Sequence, residues 1–159
     1  MYRSHVLVCG GTGCTSSGSK KIIEIFEKEL AAKKLDEEVK VVQTGCFGLC
    51  ALGPVVVVYP EGAFYSRVTP EDIPEIVEEH LLKGRIVTRL LYDETVKGDV
   101  VESLDNTNFY KKQLRVALRN CGVINPEEID EYIAYDGYQA LGKVLTEMTP
   151  EQVIQTIKD

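Results

Sequence analysis

Four cysteines stand in two pairs, each directly after a predicted strand. Cys9 and Cys14 form a C-x4-C pair, and Cys46 and Cys50 form a C-x3-C pair, with 31 residues between the two pairs. Thiolates are the ligands that structural zinc sites and iron–sulfur clusters share. The two pairs therefore indicate a site that binds a metal ion or a cluster.

Several other cysteine chemistries compete with a cluster. A structural zinc site also takes four thiolates at such spacings, so spacing leaves zinc open. A thioredoxin-like dithiol needs C-x-x-C, which is absent, and a plant-type ferredoxin needs a cysteine where Ser17 stands. Simple packing is common for a single buried cysteine, but four in glycine-rich loops at strand ends make it a poor explanation.

The stretch VCGGTGCTSSGSKK also raises the question of a phosphate-binding loop. Gly13 and Gly18 have the spacing of a P-loop, but Ser19-Lys20 stands where lysine followed by serine or threonine is required. Gly11 and Gly13 begin a dinucleotide fingerprint, but Ser16 replaces its third glycine. Both phosphate interpretations are disfavoured.

Composition narrows the class of protein. The 159 residues, 44% of them hydrophobic, suit about one domain with a small appendage. The N-terminus lacks a signal peptide and no apolar run is long enough to span a membrane, so we predict a cytoplasmic protein. The net charge of −7 divides into −1 over residues 1–90 and −6 over 91–159. This acidic balance disfavours nucleic acid and anionic membranes as partners.

The first half alternates strands and helices. Apolar patterning predicts a helix over 18–35 and strands over 5–9, 39–44, 54–60 and 63–68, and the capping sequence Thr69-Pro70-Glu71-Asp72 predicts a second helix. The order β-α-β-β-β-α is that of a small α/β sandwich of thioredoxin type. A helical crossover makes the first two strands parallel neighbours, so both cysteine loops leave the sheet at one edge.

The second half predicts a linker and then helices. Residues 91–108 have the polar, turn-forming composition of a linker. FYKKQLRVALRNCG (109–122) predicts a helix that ends at Gly122, and EEIDEYIAY and YQALGKVL predict two more. Thr149-Pro150-Glu151-Gln152, a capping box, begins a final helix.

Some remaining residues with possible chemistry receive structural interpretations. Cys121 has no cysteine nearby in the sequence, so we interpret it as a packing residue. His5 and His80 lack partners at ligand spacing. The basic residues on the predicted helix are interpreted as a solvated face; they are Lys111, Lys112, Arg115 and Arg119.

The sequence resembles two known families over nearly its whole length. The C-x4-C and C-x3-C pairs, with Gly45-Cys46-Phe47-Gly48-Leu49-Cys50 and the following GPVVVVY, resemble the thioredoxin-like 2Fe-2S ferredoxins. FYKKQLRVALRNCGVINPEEIDEYIAYDGYQALGKVL resembles the segment ahead of the flavin domain in the NADH-binding flavoprotein subunit of complex I. Their fusion is similar to the flavoprotein subunit of bacterial NAD(P)-dependent, often electron-bifurcating, hydrogenases.

The resemblance implies a 2Fe-2S cluster held by Cys9, Cys14, Cys46 and Cys50, and a role in one-electron transfer. It implies a thioredoxin-like ferredoxin domain at 1–90, a linker at 91–108 and a helical segment at 109–159. The partners it implies are other subunits of a hydrogenase or NADH-linked oxidoreductase, and electron-donor or acceptor proteins. The family's FMN and NADH site and further Fe–S clusters are not in this sequence, so we expect the chain to be the N-terminal part of a longer subunit. The alternative is a zinc-stabilised interaction module.

Overall fold

The computed structural model describes residues 2–93, 96–97, 100–101, 110, 112–121 and 123–159. The chain divides into two compact units, Met1–Val123 and Ile124–Asp159. The main sheet of the first unit has four strands: β1 (Ser4–Cys9), β2 (Val39–Thr44), β3 (Val56–Tyr59) and β4 (Ala63–Tyr65). Two helices lie between β1 and β2: α1 (Thr12–Ser16) and α2 (Ser19–Ala32).

The four strands form one mixed sheet in the order β2-β1-β3-β4. β1 runs parallel to β2, and β3 is antiparallel to both β1 and β4. Cys9, the last residue of β1, is in register with Thr44, the last residue of β2. The predicted parallel pairing is therefore confirmed, and both cysteine loops begin at the same edge of the sheet.

Both faces of the sheet are buried. Successive side chains of a strand point to opposite faces, so β1 contributes to a core on each side. On one face, Val6 and Val8 of β1 pack in a core that includes Ile22, Phe26 and Leu30 of α2. On the other face, the buried side chains include some from the sheet and some from the cysteine loops; they are Leu7, Cys9, Cys14, Val42, Phe47, Val55, Val57, Phe64 and Tyr110. The cysteine site thus belongs to a packed core.

A helical run at 70–82 follows the sheet. It consists of a 3-10 turn (Pro70–Asp72), one α-helical turn (Ile73–Glu75) and a π-helical stretch (Ile76–Leu82). The predicted capping box is present, with Thr69 and Asp72 bonding each other's backbone N–H groups. Pro74 falls in the first α-helical turn, where a missing N–H costs no hydrogen bond.

His80 lies in this run and is buried. Its Nδ1 is 2.7 Å from the Tyr65 hydroxyl, which also accepts the backbone N–H of Val87 at 3.1 Å. Burial lowers the pKa of His80, and the neighbouring carboxylate of Glu61 offsets this only in part. His80 is therefore a neutral core residue that links β4 to the helical run.

The segment at 109–122 differs from the prediction. Tyr110 is helical, but residues 112–121 form turns, a bend and irregular backbone, so the predicted helix is wrong over that stretch. Leu114, Val116 and Leu118 recur at every second position and are 90%, 73% and 62% exposed. Leu114 and Leu118 would share one face of a helix, but both are exposed in the structure, so no buried apolar face stabilises a helix there.

The region predicted as a linker lies largely outside the described residues. A 3-10 turn at Thr88–Leu90 precedes it. Within it, Val96–Lys97 and Val100–Val101 pair as two short antiparallel strands.

The second unit is helical, as predicted. Its helices span Ile129–Ala134, Gln139–Glu147 and Pro150–Lys158. The capping box predicted at Thr149 is present, with the Thr149 hydroxyl accepting the N–H of Gln152. Across the described part of the chain, no helix is long and apolar enough to cross a membrane.

Candidate metal centre

The first cysteine loop joins the end of β1 to α2. Cys9 ends β1 and its N–H donates to the Val55 carbonyl at 3.0 Å, while the N–H of Gly10 donates to the Thr44 carbonyl at 2.9 Å. The chain then turns into α1, which carries Cys14. Cys9 and Cys14 are both 2% exposed. The loop is thus tied to the ends of its neighbouring strands, and its two thiols face inward.

The second cysteine loop follows β2 and is more exposed. Gly48 has φ of 84°, a left-handed conformation that favours glycine, and its N–H donates to the Cys46 Sγ at 3.3 Å. Phe47 is buried and packs edge-to-face on Phe64, with ring centroids 6.4 Å apart. Cys46 and Cys50 themselves are exposed. Phe47 therefore anchors a loop whose two thiols face outward.

The four sulfurs form two interacting pairs. The Sγ atoms of Cys46 and Cys50 are 3.9 Å apart. Cys9 and Cys14 interact as the second pair, and Cys9 and Cys50 influence each other electrostatically across the two pairs. Among the residues that the structure describes, no three His, Cys, Asp or Glu side chains are grouped to hold a single metal ion. The tertiary structure brings the two loops together as two adjacent thiol pairs.

The electrostatics of the pairs oppose thiolate formation in the absence of a cation. Burial raises the pKa of the Cys9 thiol to about 11, although hydrogen bonds from the backbone N–H groups of Phe47 and Gly11 partly offset this effect. The hydrogen bond and charge of Cys46 raise the pKa of Cys50. A bound cation removes this cost, because the same N–H groups then stabilise coordinated thiolates.

Glycines make room for the sulfurs. A Cβ on Gly53 would lie 2.7 Å from the Cys14 Sγ, and a Cβ on Gly11 would lie 2.9 Å from the Cys46 Sγ. A Cβ on Gly13 would reach the Cys50 Sγ at 3.9 Å, an ordinary contact. Four thiols, N–H donors directed at sulfur and backbone without side chains fit the ligand set of a 2Fe-2S cluster.

Other candidate residues lie in different surroundings. Cys121, interpreted as a packing residue, lies beside the second loop, where its thiol donates to the Cys46 carbonyl at 3.3 Å. Sequence spacing had no signal for this contact, because the two residues are 75 positions apart. Arg115 bonds the Cys121 carbonyl rather than standing free on a helix face, and Lys112 and Arg119 are exposed. Lys111 lies outside the described residues.

Comparison with known proteins places this geometry in context. A family model described as thioredoxin-like 2Fe-2S ferredoxin matches residues 1–81. A 2Fe-2S ferredoxin of Clostridium pasteurianum is 45% identical over 96 residues, covering 55% of this chain and 94% of that protein. The crystal structure of the thioredoxin-like 2Fe-2S ferredoxin from Aquifex aeolicus aligns with a TM-score of 0.53 at 37% identity, covering 58% of this chain and 99% of that one.

A third relative is a subunit of a larger complex. The NADP-reducing hydrogenase subunit HndC of Solidesulfovibrio fructosivorans is 60% identical over 52 residues. That match covers 33% of this chain and 10% of the subunit. The first unit therefore has the thioredoxin-like ferredoxin fold, as predicted. About a third of the chain is also similar to part of a hydrogenase subunit.

Proposed function

Because this chain belongs to the thioredoxin-like 2Fe-2S ferredoxin family, we propose that Cys9, Cys14, Cys46 and Cys50 hold its cluster within an NAD(P)H-linked flavoprotein subunit. The family implies electron transfer through a 2Fe-2S cluster, which supplies the redox chemistry. Residues 1–90 are the cluster domain in this proposal. Residues 91–108 link it to the segment at 109–159, which leads toward a flavin and NADH domain.

One observation carries the ligand assignment. The two thiol pairs meet at one sheet edge, and at Gly53 and Gly11 a side chain would collide with the Cys14 and Cys46 sulfurs. In a 2Fe-2S cluster the four cysteine ligands are divided between two irons. Two pairs of thiols match this division. The chain's own residues position the thiols, donate N–H bonds to them and bury the inner pair.

The flavoprotein context is supported by the similarity to HndC. HndC is a subunit of an NADP-reducing hydrogenase, and the similarity of this chain to part of it supports hydrogenase or related oxidoreductase subunits as partners. Cytoplasmic localisation stays a prediction. The helices of the second unit contain no cysteine pair, histidine cluster or glycine-rich fingerprint in their sequence, so we assign them no redox chemistry of their own.

Metal analysis tests the cluster assignment. The chain, produced and reconstituted without oxygen, is expected to bind two irons and two labile sulfides and to give a 2Fe-2S paramagnetic resonance spectrum once reduced. Bound zinc without sulfide would overturn the proposal in favour of a zinc-stabilised interaction module.

A second experiment tests the division of labour within the flavoprotein subunit. The 159-residue chain is expected to accept an electron from a chemical reductant but to show no NADH oxidation with an artificial acceptor. NADH is also expected to leave its melting temperature unchanged, because a ligand that does not bind the folded state cannot stabilise it. NADH oxidation by this chain would contradict the proposed placement of the flavin site elsewhere.

A further inference from the structure

A segment beyond the family match folds back over the second cysteine loop. We call it the strap and define it as Tyr110 with residues 112–121. The Tyr110 hydroxyl donates to the Phe47 carbonyl, and the Cys121 thiol donates to the Cys46 carbonyl at 3.3 Å. Two successive carbonyls of the loop are therefore bonded from the same segment.

The strap is packed against the site as well as bonded to it. Tyr110 is 6% exposed and lies in the same buried cluster as Cys9, Cys14 and Phe47. Cys121 packs closely on the loop backbone, because a Cβ on Gly45 would lie 2.5 Å from the Cys121 Sγ. This contact requires a residue without a side chain at position 45.

Arg115 joins the two ends of the strap. Its guanidinium carbon lies 4.8 Å from the centroid of the Tyr110 ring, and its Nη1 donates to the Cys121 carbonyl at 3.0 Å. A permanent positive charge is thus held next to the residues that bond the cysteine loop.

We propose that Tyr110, Arg115 and Cys121 are positioning residues that fix the Cys46 loop and raise the reduction potential of the cluster from outside the ferredoxin domain. The inference rests on the proposed ligand assignment. Reduction adds negative charge to the cluster, so a nearby cation and donors that satisfy the loop carbonyls favour the reduced state. The strap lies beyond residues 1–81, which the family model matches.

The test is a potentiometric titration of the reconstituted 159-residue chain, followed by paramagnetic resonance. Arg115→Gln is expected to shift the reduction potential to a more negative value, because the cation is lost. Arg115→Lys keeps the charge and is expected to remain nearer the wild type. Arg115 is not part of the buried core, so both variants are expected to fold, and equal melting temperatures check this.

The Gly45–Cys121 contact supplies an independent arm. Gly45→Ala is expected to displace Cys121 and shift the reduction potential. Because Gly45 has no positive φ, alanine does not strain the backbone there, and the methyl acts only through its contact with Cys121. Cys121→Ala removes the sulfur that the new methyl would meet, and the Cys121 Cβ is 4.0 Å from the position of that methyl. The double variant Gly45→Ala with Cys121→Ala should therefore have the same reduction potential as Cys121→Ala alone. Gly142→Ala, which meets nothing within 4 Å, is the control.

The outcomes separate this inference from the proposed function. A wild-type chain that binds no cluster would overturn the ligand assignment itself. A full cluster whose potential is the same in the wild type, Arg115→Gln and Gly45→Ala would overturn the role of the strap alone. Loss of the cluster from Cys121→Ala would also overturn it, because Cys121 would then be a ligand rather than a positioning residue.

Discussion

The Sγ atoms of Cys46 and Cys50 lie 3.9 Å apart on the exposed side of the site, whereas Cys9 and Cys14 are buried beneath them. This arrangement divides the thiols into an inner pair, held by the sheet, and an outer pair, open to solvent. In an electron-transfer protein, the outer pair is the side from which a partner can approach the cluster.

Cys46→Ser is predicted to abolish most cluster binding, because a neutral hydroxyl is a far poorer iron ligand than a thiolate. Cys121→Ser is expected to keep full iron and sulfide content, since Cys121 bonds a carbonyl and is not a proposed ligand. Iron and sulfide analysis after anaerobic reconstitution measures both. Equal loss from the two variants would show that the ligand assignment is wrong.

Gly53→Ala is predicted to lower cluster content without removing a thiol. The new methyl would lie 2.7 Å from the Cys14 Sγ and 3.4 Å from the Cys50 carbonyl oxygen. Gly53 has φ of −71° and ψ of 157°, which alanine adopts freely, so the effect is steric. Absorbance of the cluster per protein chain measures it. The prediction fails if Gly53→Ala and the open-site control Gly142→Ala load equally.

Tyr65→Phe is predicted to reduce the free energy of unfolding by about 1–3 kcal/mol, the usual cost of unpaired buried polar groups. The Tyr65 hydroxyl is hydrogen-bonded to His80 Nδ1 and to the Val87 N–H in the core. The variant therefore removes the hydrogen-bond partner of two buried polar groups. Urea denaturation measures the loss. Tyr2→Phe, at an exposed position, should change stability by less than about 0.5 kcal/mol. A loss as large as that of Tyr65→Phe would contradict the stabilising role given to the Tyr65 hydroxyl.

Asp72→Asn is predicted to lower the free energy of unfolding at neutral pH by about 1.5–3 kcal/mol, the range for hydrogen bonds to a charged group. The Asp72 carboxylate accepts the Thr69 N–H at 2.8 Å, the Thr69 hydroxyl at 2.9 Å and Arg89 at 2.7 Å. Burial alone would raise the pKa of Asp72, but these bonds together lower it. The matched control is Glu75→Gln, an exposed partner of the same arginine, which should cost little.

The sign of the pH effect follows from that lowered pKa. The unfolded chain takes up the proton first, near the usual aspartate value of ~4, so the stabilisation is complete above that pH and is lost as pH falls toward the folded-state pKa. The wild type should therefore lose more stability than Asp72→Asn on acidification below pH ~4. Parallel stability curves for the two proteins would contradict this.

The sequence alone predicted the elements that position the site. Apolar runs ending at Cys9 and Thr44, with a helix between them, imply parallel strands with adjacent ends, and the structure has them in register. This worked because a helical crossover between neighbouring strands has few geometric solutions. The cysteine spacings and following motifs were sufficient to identify the family.

The sequence predicted structure less well where local patterns did not distinguish a helix from irregular backbone. The predicted helix at 109–122 contains good helix formers, but helix propensity contributes little unless one face is buried. Leu114 and Leu118 could share such a face, but the structure leaves both exposed, and residues 112–121 form turns and irregular backbone instead. The domain division at 90 stays a prediction, and in the structure the strap lies with the first unit, which extends to Val123.

Residue types and spacing by themselves determined that this chain carries four thiols at one edge of an α/β sheet. Only the tertiary structure decided which thiols are buried, that Cys121 lies against the Cys46 carbonyl, and that Gly45 makes room for it. The physical reason is the sequence distance over which each interaction acts. Periodicity and capping act over a few neighbouring residues and can be read from the chain, whereas contacts between residues 75 positions apart arise only when the core packs.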